Sequence, residues 1–268
     1  MSTLSNKAFG KITALFHDVS GIRLGDNKFA LVTGRLQRLA QESGESDLDA
    51  YVERLVKGNA PAAEMTRVID RLTTNETYFF REPQHFNDMA ERLRAHVQSG
   101  GRDFVVWSAA SSSGEEAYSA AMLMADELGD TPWKVIGTDL STAMVESARR
   151  ALFTLDRARM VPPAYLKRFC LKGQGDHAGQ ILVSKELRER VQFTAANLMQ
   201  PLPQLPQFDI IFLRNVLIYF DNEAKSQIVR RVLTQLKPGG VLYTGHAESL
   251  STLNLPVRPL ATAIHVHA

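Results

Sequence analysis

The sequence predicts an α/β fold, a doubly wound, mainly parallel sheet preceded by an all-helical segment. Three observations carry this. From about residue 103 onward, short apolar runs alternate with helix-spaced segments, the pattern of strands joined by crossover helices. Residues 1 to about 72 hold no convincing strand, only apolar residues at helical spacing. Between the two regimes, Asp103-Phe104-Val105-Val106-Trp107 leads into a turn of small residues, Ser108-Ala109-Ala110-Ser111-Ser112-Ser113-Gly114, followed by Glu115-Glu116 and a helix. Strand, small-residue turn and helix is a geometry that lets backbone N–H groups approach a ligand closely.

Composition narrows the function classes. With 268 residues, 44% hydrophobic and 22% charged, the chain has the balance of a soluble protein with ample core. A net charge of +2 gives no global preference for nucleic acid or membrane. Cys170, the single cysteine, excludes an internal disulfide or cysteine-based metal cluster and reads as a buried small hydrophobe. No apolar run reaches the roughly 18 residues of a membrane span, and the N-terminus lacks a charged-then-apolar leader, so the cytoplasm is the expected compartment and no membrane insertion is expected. The seven histidines show no ligand spacing beyond His265-x-His267, and no metal is expected.

The helical segment divides into four. Ala8, Ile12, Leu15, Phe16 and Val19 share one face, with Gly21 as the stop. Asp26 or Asn27 is positioned to cap a second helix carrying Phe29, Val32, Leu36 and Leu39. Ser46-Asp47 opens a third, and Ala62 to Leu72 reads as a fourth. On the second helix Lys28 and Arg35 nearly eclipse, with Arg38 close by, and residues 1–40 hold six Lys/Arg against two Asp. That local excess suits either a solvated face or docking to an acidic surface.

Thr73-Thr74-Asn75-Glu76-Thr77-Tyr78-Phe79-Phe80-Arg81-Glu82 breaks the helical pattern. It is too aromatic for a plain linker and suits a segment folded over a ligand. His85 to Val97 is then a helix into the first strand. Further strands are expected at Trp133–Leu140, Val191–Leu198, Phe208–Asn215 and Val241–Gly245. Helices are expected at 141–151 and 222–236, the latter closed by Lys237-Pro238-Gly239-Gly240, and the tail holds two short β-like pieces.

In such a sheet the ligand lies beyond the carboxyl ends of the strands. Asp139 ends the second strand about 25 residues past Gly114, suited to accept both ribose hydroxyls. The full G-x-G-x-x-G and the P-loop pattern are both absent, which argues against a pyrophosphate or triphosphate. S-adenosylmethionine has no phosphate, and the turn answers its parts: backbone N–H for the carboxylate, a glutamate for the ammonium, Asp139 for the ribose. The fourth strand ends Leu213-Arg214-Asn215 rather than the [DNS]-P-P-[YF] of amino-group methylation, which disfavours a nucleic-acid substrate.

Thr73 through Glu82, Trp107 through Tyr118, Gly137-Thr138-Asp139, Asn197-Leu198 and Arg214-Asn215-Val216-Leu217-Ile218-Tyr219-Phe220-Asp221 closely resemble the chemotaxis receptor glutamate methyltransferases, the CheR family. The resemblance implies a class I S-adenosylmethionine-dependent methyltransferase domain over 73–268, with a helical domain over 1–72 and a small β subdomain inserted at about 164–190. In some members that subdomain tethers a receptor's C-terminal peptide. It implies methyl transfer to receptor glutamates, giving methyl esters and S-adenosylhomocysteine. Asn75, Thr77, Arg81, Glu116, Asp139, Asn197, Leu198, Arg214 and Asn215 would line the cofactor site, with Glu115 the alternative to Glu116. Arg81 or Tyr219 would orient the incoming carboxylate, Lys28, Arg35 and Arg38 would dock the receptor, and the enzyme is expected as a monomer. Ala117 stands where the family commonly has proline.

Overall fold

The computed structural model describes residues 3–267. The chain opens with α1 (Asn6–Ser20), α2 (Phe29–Glu42), α3 (Leu48–Val56) and α4 (Ala62–Leu72). Their apolar stripes meet in one core around Ile12, Phe16, Val32, Leu36, Tyr51 and Val68. Ser5 accepts from the Ala8 N–H to cap α1, and Gly21 takes the left-handed conformation that ends it. Asp47 caps α3. Asp26 and Asn27 do not cap α2. Asp26–Lys28 form a 3-10 turn instead, closed by the Lys28 N–H donating to Gly25 O, and a backbone bond takes the place of the side-chain cap.

α5 (Pro83–Gln98) begins two residues earlier than its apolar pattern marks, because Pro83 needs no N–H partner in the first turn. There follow β1 (Phe104–Ala109), α6 (Glu115–Glu127), β2 (Trp133–Asp139), α7 (Thr142–Arg150), β3 (Leu152–Thr154), α8 (Pro163–Phe169), β4 (Cys170–Lys172), β5 (Gln180–Val183) and α9 (Lys185–Arg188). The chain ends with β6 (Val191–Ala195), β7 (Phe208–Leu213), α10 (Asn222–Leu233), β8 (Leu236–Thr244), β9 (Val257–Ala261) and β10 (Ile264–His267).

The main sheet has the order β6-β2-β1-β7-β8-β10-β9. The first five strands are parallel, and β10 runs antiparallel to β8 and β9. On one face Phe86, Met89, Tyr118 and Met122 pack on Val106, Val135 and Phe212. On the other, Ile228, Val229 and Val232 of α10 cover Trp107, Ile211 and Leu242. Burial on both faces is why the strand sequences run apolar instead of alternating.

Further boundaries differ from the sequence reading. β6 and β7 end at Ala195 and Leu213, so Asn197-Leu198 and Arg214-Asn215 stand in loops just past the strands. Lys237-Pro238-Gly239-Gly240 lies inside β8, because Leu236 already pairs with Phe208 and a register shift between Phe208 and Ile210 absorbs the turn residues. The small antiparallel sheet, β3-β5-β4, takes its first strand from Leu152–Thr154, well ahead of residue 164. Phe153 anchors that strand, edge-on to Phe79 at 4.9 Å and to Tyr118 at 5.8 Å.

Candidate active site

β1 lies between β2 and β7, and the chain winds away from it in both directions, so the crevice at its carboxyl end is the switch point. A pocket opens there. Asn75, Thr77 and Arg81 border it from the segment after α4, Glu116 from the start of α6, Asp139 from the end of β2, and Asn197, Leu198, Arg214, Asn215 and Tyr219 from the loops after β6 and β7. The fold thus gathers around one cavity all ten residues expected at the cofactor or the methyl.

The turn after β1 is shaped by backbone conformation. Ala110 (φ 65°) and Ser112 (φ 50°) are left-handed, which small side chains tolerate best. Gly114 (φ 99°) cannot be replaced cheaply, since a Cβ there would stand 2.9 Å from Ala148 Cβ and 3.0 Å from the Phe193 ring. The Ser112 N–H donates to Asp139 Oδ2 at 2.7 Å, and the Ser141 N–H donates to Oδ1 at 2.9 Å. Burial pushes the Asp139 carboxyl up to about 6 despite these two bonds. Ser111 Oγ borders the pocket, buried and without a partner among the described residues.

Arg214 is the hub of the site. Its side chain is 1% exposed. Nη1 donates to Glu116 Oε2 at 2.9 Å, Nη2 and Nε donate to Glu82 Oε2 at 3.0 and 3.3 Å, and Nη2 also donates to the Arg81 carbonyl. Glu116 Oε1 accepts from the Ser108 hydroxyl at 2.7 Å. Burial raises the Glu116 carboxyl, with Arg214 and Ser108 acting against it. The two adjacent glutamates diverge. Glu116 faces the pocket, whereas Glu115 is fully buried behind it, accepting from Arg157 Nη1 at 2.6 Å and the Ser113 hydroxyl at 2.7 Å.

Other expected residues are partly committed. Arg81 donates from Nη1 to Glu76 O at 2.8 Å and lies 5.8 Å from the Tyr78 ring. Asn197 uses both ends of its amide, donating to Val19 O at 2.8 Å and accepting from the Met199 N–H at 2.9 Å. Burial raises the Tyr219 phenol, so it stays protonated and able to donate. Of the basic face, Lys28 and Arg38 are exposed, but Arg35 donates to Leu72 O and Thr73 O, both at 3.0 Å, and holds the end of α4.

Sequence reasoning missed four features. Ile22 and Leu24 follow α1 yet line the pocket, strapped there by the Arg23 N–H donating to Tyr219 O at 3.1 Å. Glu82 accepts from Arg214, although only the hydrogen-bonding density of its segment hinted at a role. Glu248, 6% exposed, accepts from three backbone N–H groups: Asn215 and Gly245 at 2.7 Å and Ile218 at 3.2 Å. Glu82, His85 and His246 come together although His246 is far along the chain.

Residues 7–73 match the family described as CheR methyltransferase, all-alpha domain, and residues 75–264 match CheR methyltransferase, SAM binding domain. The chain is 40% identical over 253 residues to the chemotaxis protein methyltransferase of Salmonella typhimurium, covering 93% of this chain and 86% of that protein. Identity to the Escherichia coli protein of the same name is 39%, with 93% and 87% covered. Chemotaxis protein methyltransferase 2 of Pseudomonas aeruginosa is 33% identical over 260 residues, with 96% and 91% covered.

Proposed function

The chain belongs to the CheR methyltransferase family, and from that premise we propose that it esterifies glutamate side chains of chemotaxis receptors in the cytoplasm, acting as a monomer. It is an S-adenosylmethionine-dependent methyltransferase acting on chemoreceptors. No helix among the described residues is long and apolar enough to cross a membrane. Residues 1–72 form the helical domain, which also lends Ile22 and Leu24 to the pocket, and 73–268 the methyltransferase domain.

The pocket fits S-adenosylmethionine. The buried Asp139 carboxylate suits the ribose hydroxyls, Glu116 suits the ammonium, and the Ser111 hydroxyl, unpartnered among the described residues, lines the same pocket. Bound there, the cofactor supplies a methyl activated by its sulfonium. The nucleophile is the partner's carboxylate, already ionised at neutral pH with an ordinary pKa near 4.3, so no general base is required. The chain's own work is alignment and exclusion of water, which speed a step in which opposite charges cancel. Arg81 attracts the carboxylate and the protonated Tyr219 phenol donates to it, and the observation that carries this is that both line the same pocket, close enough for the Arg81 charge to act on the phenol.

Arg81→Ala tests the reading with labelled S-adenosylmethionine and receptor-containing membranes. A fall in kcat/KM of about a hundredfold is expected, with the wild-type label base-labile. Near-normal kcat/KM would remove Arg81 from the mechanism. Base-stable label would overturn ester formation.

A further inference from the structure

We propose that Glu82, His85 and His246 form a binding site for a divalent transition-metal ion such as zinc, beside the cofactor pocket and coupled to it. The ligand atoms of the three residues lie within 4.8 Å of one another. Glu82 Oε2 and His85 Nδ1 stand 3.5 Å apart, close to the roughly 3.3 Å that separates two ligands around a tetrahedral zinc with bonds of about 2.0–2.1 Å. Two imidazoles and a glutamate are the protein ligands of a known class of zinc site, with water in the fourth position.

His85 is the independent observation. Its ring is 0% exposed, yet neither Nδ1 nor Nε2 has a hydrogen-bond partner among the described residues. Buried polar atoms are nearly always bonded, and an ion is one of the few partners that accounts for an exception. Stacking on Tyr243, with ring centroids 5.0 Å apart, fixes the plane of the imidazole. The His246 ring lies 5.1 Å from it, and because His246 is exposed an ion can enter from that side.

The coupling follows from what else Glu82 holds. Its Oε2 accepts from Arg214, and its Oε1 accepts from Asn215 Nδ2 at 3.2 Å. An ion drawing on this carboxylate loosens its grip on Arg214, and with it the bond from Arg214 to Glu116 in the pocket. Binding of ion and cofactor is then mutually weakening, since coupling between two sites is reciprocal.

The test titrates Zn2+ by calorimetry into protein free of any affinity tag, and measures S-adenosylhomocysteine affinity with and without the metal. Wild type is expected to take up one zinc per chain with micromolar affinity, and zinc is expected to weaken S-adenosylhomocysteine binding several fold. His246→Ala changes an exposed residue outside the pocket. It is expected to weaken zinc binding about tenfold or more, to leave metal-free S-adenosylhomocysteine affinity unchanged, and to abolish the effect of zinc upon it. Absence of saturable zinc binding, equal zinc affinity in His246→Ala, or cofactor affinity indifferent to zinc would each overturn the proposal. Metal-free S-adenosylhomocysteine binding tests the pocket by itself, so failure of the metal site and failure of the cofactor site are distinguishable.

Discussion

Glu248 Oε2 accepts the backbone N–H of Asn215 at 2.7 Å and so ties the loop after β8 to the loop after β7. The same oxygen accepts from the Gly245 N–H, and Oε1 accepts from the Ile218 N–H next to Tyr219. Three donors on one buried carboxylate leave no room for an amide. In Glu248→Gln one N–H faces an NH2 group, at a cost of about 1–3 kcal/mol. The expected outcome is a melting temperature several degrees lower and kcat/KM for receptor down about tenfold, with cofactor affinity within a few fold. A lowered melting temperature with unchanged methylation would make the clamp structural alone.

Arg214 uses its fork on Glu116, Glu82 and the Arg81 carbonyl together, a geometry that a single ammonium cannot reproduce. Arg214→Lys keeps the charge and loses the bridge from Glu116 to Arg81 and Glu82 in the segment after α4. Cofactor dissociation constants are expected to rise about tenfold or more, measured by calorimetry with S-adenosylhomocysteine. Wild-type affinity in the lysine variant would show that charge suffices.

Asp139 gives the site a pH dependence. Its carboxyl, pushed up to about 6, is raised above the ordinary value near 3.9, so the cofactor-free folded protein gains stability from this group as pH falls through 6 toward 4. Ribose hydroxyls donate to the ionised form, so cofactor binding runs the other way. The dissociation constant is expected to rise by up to about tenfold per pH unit below 6 and to be flat with respect to this group above 7. Asp139→Asn should bind weakly at all pH values and lose that slope. A slope that persists in the asparagine variant would assign the titration elsewhere.

What the sequence makes legible follows local physics. α4 could be bounded at Ala62 and Leu72 because its apolar face repeats at helical spacing, and β1 because a run buried on both faces is continuously apolar. The glycines of Lys237-Pro238-Gly239-Gly240 misled because turn chemistry looks the same in a bulged strand as in a helix stop, and only the pairing of Leu236 with Phe208 separates the two. Arg214 and Asn215 could be named, but not that Arg214 is held by Glu82, 132 residues earlier. Side-chain bonds of that span leave no periodic trace in a sequence. Glu248 is hidden for the same reason, since its role rests on backbone N–H groups, which almost every residue carries.

The basic residues of α2 and of the 3-10 turn before it yield one more expectation, and the structure decides which of them test it. Arg35 secures the carbonyls of Leu72 and Thr73, so reversing its charge would disturb the end of α4 and confound any reading of docking. Lys28 is exposed, and Arg38 is exposed and paired with Glu42 within its own helix at 3.1 Å, an interaction that contributes well under about 1 kcal/mol. Lys28→Glu combined with Arg38→Glu should therefore leave the melting temperature nearly unchanged while reversing the face. If acidic receptor surface docks there, KM for receptor rises several fold at low salt, the effect shrinks as ionic strength approaches 0.5 M, about where screening removes it, and cofactor affinity stays constant. Unaltered receptor KM at low salt in the double variant would mean the face is only solvated.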